Sequence, residues 1–205
     1  MNKIDWKSLT FSCVICMLPI IMGFYFYDAL PDTLAIHFDI NNNADGFASK
    51  DFTLFGLPII MVALQTFCWI MSDLNKKDDK KIKVIEVAKW FIPIVTIIVY
   101  TITVLVGLGK SINIGKVASI ILGVLFILTG NYMPKMSYEE AKGNINPLPK
   151  TESSYKEMVR TLGYSFVIGG FLVIASILCE GKISLITIFG VCVVVFIESI
   201  YYSFK

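Results

Sequence analysis

Histidine occurs once, at position 37, and that scarcity removes much of the usual catalytic chemistry at the outset. There is no H-E-x-x-H, no G-x-S-x-G and no G-x-x-x-x-G-K-[ST]. A zinc hydrolase, a nucleophile-elbow hydrolase and a P-loop ATPase are therefore readings without support. Charged residues make up 17% of the chain, against roughly a quarter in soluble domains, which excludes a water-facing surface on all sides. The net charge of +2 makes no electrostatic case for nucleic acid. No internal repeat is visible, so an inverted-repeat transporter has no positive signal. Five cysteines, at 13, 16, 68, 179 and 192, lie in or beside apolar runs, where a thiol behaves as a small hydrophobe. Cys13 and Cys16 form C-x-x-C, but a redox or metal role needs a βαβ context or a second ligand pair.

What the chain has in quantity is apolar sequence: 56% hydrophobic residues and a mean hydropathy of +0.71. Crossing a bilayer takes about 20 apolar residues per helix. Six runs qualify: 9–29, 52–71, 90–108, 117–133, 161–179 and 183–204. The fourth is the shortest and ends in Thr129, Gly130 and Asn131, so four or five spans is the alternative count. The expected fold is an all-α membrane protein, a bundle of about six transmembrane helices with a short β-hairpin-like loop. It is read as one integral membrane domain over 1–205, with an outer loop at 30–51 and cytoplasmic loops at 72–89 and 134–160. The N-terminal run exceeds the roughly 7 to 15 residues of a secretory h-region, and Tyr27-Asp28-Ala29 is a poor cleavage site, so it reads as a retained helix.

Lysine and arginine set the expected sidedness, because cationic loops are retained in the cytoplasm. With both termini inside, 14 of the 18 fall on the cytoplasmic side, including Lys76, Lys77, Lys80, Lys81, Lys83 and Lys89 after the second run. Outside remain Lys50, Lys110, Lys116 and Lys182. The segment Leu30–Lys50 is thereby placed on the outer face. It alternates Leu34, Ile36 and Phe38 with Thr33, Ala35 and His37, a period of two that predicts an extended segment with its apolar edge on the helices or the lipid surface. Asn41-Asn42-Asn43 and Asp45-Gly46 supply turn chemistry, and Phe47 is expected back on the apolar surface. Between 72 and 89 the pattern predicts a short interfacial helix running into the third span. Thr151-Glu152-Ser153-Ser154 predicts a helical turn leading into the fifth.

The same loop resembles the signature of the SdpI family of bacterial toxin-immunity membrane proteins, approximately L-P-x-x-I-P-x-H-F, a polar gap, then D-G-(aromatic)-x-S-K. Here it reads Leu30-Pro31, Leu34-Ala35 in place of Ile-Pro, His37-Phe38, Asp45-Gly46-Phe47 and Ser49-Lys50. Gly130-Asn131-Tyr132-Met133-Pro134-Lys135 is similar to that family's G-N-x-M-P-K element. The family's following G-x-R-T-P-W segment is replaced by Gly143-Asn144-Ile145-Asn146-Pro147-Leu148, with no tryptophan. The resemblance implies a non-enzymatic, multi-pass protein of the bacterial cell membrane that needs no cofactor. Its implied partners, besides the lipid bilayer, are a secreted peptide toxin and a cytoplasmic repressor held at the membrane. It marks Pro31, His37, Phe38, Asp45, Gly46, Phe47, Ser49 and Lys50 as outer partner-binding candidates. The inner motif is Gly130, Asn131, Met133, Pro134 and Lys135.

The residues also carry plainer readings. A lone His37 among Asp32, Asp39 and Asp45 reads as a hydrogen-bonded structural residue before a metal ligand. Asp45-Gly46 and Ser49-Lys50 read as a turn and a charge pair that hold a hairpin. Polar groups inside apolar runs, Gln65, Asn131 and Glu198 with Asp28 at an edge, are costly in hydrocarbon and mark either helix–helix hydrogen bonds or the path of a small transporter, the alternative function. Pro19, Pro58 and Pro93 are expected to kink or start helices. Gly163, Ser165, Gly169 and Gly170 are expected to let another helix approach closely.

Overall fold

The computed structural model describes residues 4–74, 83–142, 148–179 and 181–204. Lys76, Lys77, Lys80 and Lys81, and the departure from the family pattern at 143–147, lie outside them. The chain is 78% helical, with six helices long and apolar enough to cross a membrane and one two-stranded antiparallel sheet. The helices leave large apolar side chains such as Phe24, Phe171, Phe189 and Phe196 exposed, the surface a soluble protein avoids and a bilayer covers. Two compact units result: Met1–Asp79 with Ile85–Asn113, and Lys80–Val84 with Ile114–Lys205.

In the first unit Asp5 caps helix α1 (Trp6–Met17) by accepting from the Ser8 N–H at 3.2 Å. Pro19 has no N–H to continue it, and the chain restarts as α2 (Ile20–Phe26) and a 3₁₀ turn, Tyr27–Ala29. Leu30 then turns extended (φ −90°, ψ 144°), the conformation that a following proline, Pro31, imposes. Strands β1 (Thr33–Phe38) and β2 (Ala44–Ser49) form the hairpin. A π-turn at Phe52–Gly56 opens α3 (Leu57–Leu74), and α4 (Lys83–Ala88) leads into α5 (Phe91–Gly107). The third span thus starts at Ile85, five residues before the expected 90.

Two prolines leave helical carbonyls without their usual donors, and in both cases another helix supplies one. Pro58 cannot donate to the Leu54 carbonyl, which accepts from the Tyr100 hydroxyl of α5 at 3.3 Å. Pro93 cannot donate to the Lys89 carbonyl, which accepts from Gln65 Nε2 of α3 at 2.9 Å. Buried orphan carbonyls in hydrocarbon cost several kcal/mol, so these bonds position α5 on α3. Gly23 on α2 makes room for the Tyr100 ring, since a Cβ there would collide with its hydroxyl.

In the second unit α6 (Ile114–Tyr132) runs into a 3₁₀ turn at Met133–Lys135 and the short α7 (Tyr138–Ala141), capped reciprocally by Ser137 and Glu140. Thr151 caps α8 (Glu152–Ala175), as the T-E-S-S run predicts, and α9 (Gly181–Phe204) follows a 3₁₀ turn at Ser176–Leu178. The loop expected over 134–160 is therefore shorter: α7 and the first turns of α8 occupy much of it. The small-residue expectation resolves into two faces of α8. Gly170 and Gly163 meet Gly123 and Gly130 of α6 backbone to backbone; a Cβ on Gly130 would lie 2.5 Å from the Gly163 carbonyl. Gly169 packs against Val191 of α9, and the Ser165 hydroxyl donates to Glu198 Oε1 at 2.8 Å.

Candidate functional site

The hairpin is bolted to the ends of its unit's helices. Leu34 is its plug: 1% exposed, it packs with Leu30, Leu54, Tyr100 and Val104. Gly107 on α5 leaves the space, because a Cβ there would lie 2.6 Å from Leu34 and 2.7 Å from Leu30. The turn is built by Asp39, whose carboxylate accepts from the Asn41 and Asn43 N–H groups at 2.9 and 2.7 Å and from Asn43 Nδ2 at 3.1 Å. Those bonds, the Asn43 backbone first, hold the Asp39 carboxyl below its ordinary pKa. Asn42 takes the left-handed conformation (φ 66°), which asparagine tolerates, and its Nδ2 donates to the Ile112 carbonyl at 3.0 Å.

Three sequence expectations change here. Ile36 and Phe47 do not pack on the helices; they are 45% and 60% exposed. The pairing explains why: Ala35 faces Phe47, but His37 faces Gly46 and Phe38 faces Ala44, so irregularities on both sides of His37 break the period of two. Asp45-Gly46 is not the turn, which is built by 39–43; it lies within β2. Glycine is needed at 46 because a Cβ would lie 2.8 Å from that of His37. Nor is Asp45 the partner of Lys50: Asp45 Oδ1 lies 2.5 Å from His37 Nδ1.

Lys50 points inward. Its ammonium donates to the Tyr27 and Leu30 carbonyls at 3.2 and 3.1 Å, sits 4.4 Å from the Tyr27 ring centroid, and approaches Asp32 at 3.9 Å. A cation on the last carbonyls of a helix is favourable both as donor and against the helix dipole. The Tyr27 hydroxyl donates in turn to Asp51. Ser49 starts the next helix, its carbonyl accepting from the Thr53 hydroxyl and its hydroxyl from the Phe52 N–H. The signature thus sorts itself: Pro31, Gly46, Ser49 and Lys50 build the hairpin, Phe38 is half-buried, and His37, Asp45 and Phe47 are presented.

The inner motif is largely architectural. Gly130 is buried in the α6–α8 seam, Pro134 packs on Gly163, Met133 flanks the cluster of Ala141, Tyr155, Met158 and Tyr202, and Lys135 lies over the Tyr132 ring at 4.2 Å. Asn131 is exposed rather than turned toward another helix.

One cluster escaped sequence reading. At the end of the first unit opposite the hairpin, Lys89 is not a loop lysine; its side chain is 4% exposed. It donates to Asp73 at 2.5 Å and Glu86 at 3.0 Å and lies 4.7 Å from the Trp69 ring centroid. Asp73, 1% exposed, also accepts from the Asp5 N–H at 3.2 Å, and Gln65 bonds Ser12 at 3.0 Å besides the Lys89 carbonyl. Counting Lys89 among loop cations hid it. The available signal was Pro93 four residues on, which frees the Lys89 carbonyl and requires a donor there.

Residues 14–62 match a domain of unknown function, DUF1648. That domain is shared by membrane proteins, and the matched stretch runs from the first span through the whole hairpin into α3. No curated protein and no solved structure matches the chain.

Proposed function

We propose that this is a non-enzymatic immunity protein of a bacterial membrane, protecting its cell from a secreted peptide toxin that contacts the hairpin. The observation that carries the reading is the hairpin's construction. Leu34, Lys50 and Asn42 pin it at three points, while His37, Asp45 and Phe47 remain presented. A pre-ordered surface binds without the cost of ordering itself. Loops held by a rigid scaffold are where binding residues concentrate.

Lysine placement supports an outward-facing hairpin. A repressor-holding role has less support, because Gly130 is buried and Met133 half-buried in packing, leaving Asn131, Pro134 and Lys135 exposed to a partner. A transport role has less support: Gln65 commits both amide hydrogens to Ser12 and Lys89, and Glu198 holds Ser165.

The test is survival. Cells of a sensitive bacterium expressing the protein should withstand the secreted peptide encoded beside its gene, and lose that protection when residues 33–49 are replaced by a two-residue turn. Killing at wild-type membrane levels of the intact protein would overturn the reading. Accessibility of a cysteine introduced at Asn41 to an impermeant thiol reagent on whole cells checks the sidedness.

A further inference from the structure

The two faces of the hairpin differ in kind. Leu34 faces the helices, whereas Thr33, Ala35, Phe47 and Ser49 share the face that nothing among the described residues covers. Phe47 stands on that face 60% exposed, and the irregular pairing leaves Ile36 and His37 exposed beside it. Along this segment acidic residues outnumber basic ones. Between residues 28 and 51 lie five aspartates, Asp28, Asp32, Asp39, Asp45 and Asp51, against one lysine. That lysine is Lys50, whose side chain is 14% exposed and whose ammonium is bonded to backbone carbonyls, whereas the Asp32 side chain is fully exposed. Lys110, on the turn after α5, is the other cation at this end of the unit.

We infer that the outward face of the hairpin, Phe47 beside His37 and Asp45, is a docking surface for a cationic peptide segment carrying a large apolar side chain. The inference rests on the proposed function and names the chemistry of its partner. Charge decides between occupants. An anionic lipid surface is repelled by the aspartates. A second copy of the same face would set like charges against each other in a two-fold contact. A cationic peptide is steered toward the field and gives Phe47 an apolar neighbour, the arrangement of an aromatic anchor inside a charged rim.

The experiment uses the full chain in phosphatidylcholine nanodiscs. The probe is a synthetic 16-residue peptide of lysine, leucine and phenylalanine, with a glutamate-for-lysine counterpart and empty discs as controls. The lysine peptide should bind protein discs above empty ones, and added salt should weaken it. Phe47→Ser should weaken binding about tenfold or more, as for a central aromatic anchor. The pair Asp32→Asn and Asp45→Asn should act mainly by slowing association. Equal binding of the glutamate peptide, or no change in the Phe47 variant, overturns the inference. So does quenching of a Phe47→Trp variant by brominated lipid, because the bilayer would then cover the face. Phe47→Ser and wild type protecting cells equally, against a peptide that wild type does protect against, removes this face and leaves immunity standing. Charge-selective binding without any protection does the reverse.

Discussion

The first unit holds two lysines in the same way at its two ends and uses them for different purposes. Each ammonium lies over an aromatic ring, Lys50 over Tyr27 and Lys89 over Trp69, and each has an aspartate nearby. For Lys50 the aspartate is incidental: Asp32 is fully exposed and 3.9 Å away, and the two carbonyls of the first span do the holding. For Lys89 it is essential, because Asp73 is 1% exposed at 2.5 Å and Glu86 shares the ammonium. Water decides the difference. An ion pair in solvent contributes little, whereas one buried charge without its partner is strongly destabilising.

The largest effect is therefore expected from Lys89→Met, which removes the ammonium bonded to the buried Asp73 carboxylate and should cost about 3–5 kcal/mol in a reversible unfolding assay in detergent. Adding Asp73→Leu should recover part of that loss. Two equally damaging, additive losses would mean that the pair is not coupled.

Next, Gln65→Leu should cost about 1–3 kcal/mol by orphaning the Lys89 carbonyl. Restoring a backbone donor with Pro93→Ala should shrink that cost, and a cycle showing no coupling would sink the donor argument. At the other end, Lys50→Met takes the ammonium from the Leu30 carbonyl and from the Tyr27 carbonyl, which keeps the Leu30 N–H, and should loosen the hairpin by about 1–3 kcal/mol, read as faster amide exchange over 33–49 with the spans unchanged.

Asp32→Asn should change no stability measurably, and a clear loss would make the two ends alike after all. The smallest effect is that of pH on the turn. Asp39 has its carboxyl held below the ordinary value of 3.8, so the stabilisation it gives is present above that value and is lost as pH falls through the lower, folded one. Protection of the Asn41 and Asn43 amides, their exchange taken relative to the intrinsic rate at each pH, should fall only in that acid range and should be flat above about pH 5.

Much of this was readable in one dimension. Six apolar runs needed no tertiary information, since a hydrocarbon layer asks only for length and composition. The helix break at Pro19, the extended Leu30 before Pro31, the asparagine turn and the Thr151 cap follow from covalent geometry and local hydrogen bonding. The hairpin's register did not follow. A strict alternation placed Ile36 with Leu34, but the steric need for Gly46 beneath His37 and the irregular pairing around it turned Ile36 outward. Lys89 misled for a related reason, because a lysine beside other lysines looks like a loop cation until the helices bring Asp73 up to it.

Sequence by itself thus determined that the chain spans a membrane about six times and carries one ordered polar loop, properties set residue by residue along the backbone. Tertiary structure alone decided which charges meet, which carbonyl receives a borrowed donor and which face of the hairpin is left open. Those outcomes depend on approaches of a few ångströms between segments far apart in the chain, and the pattern of any one segment contains no such distance.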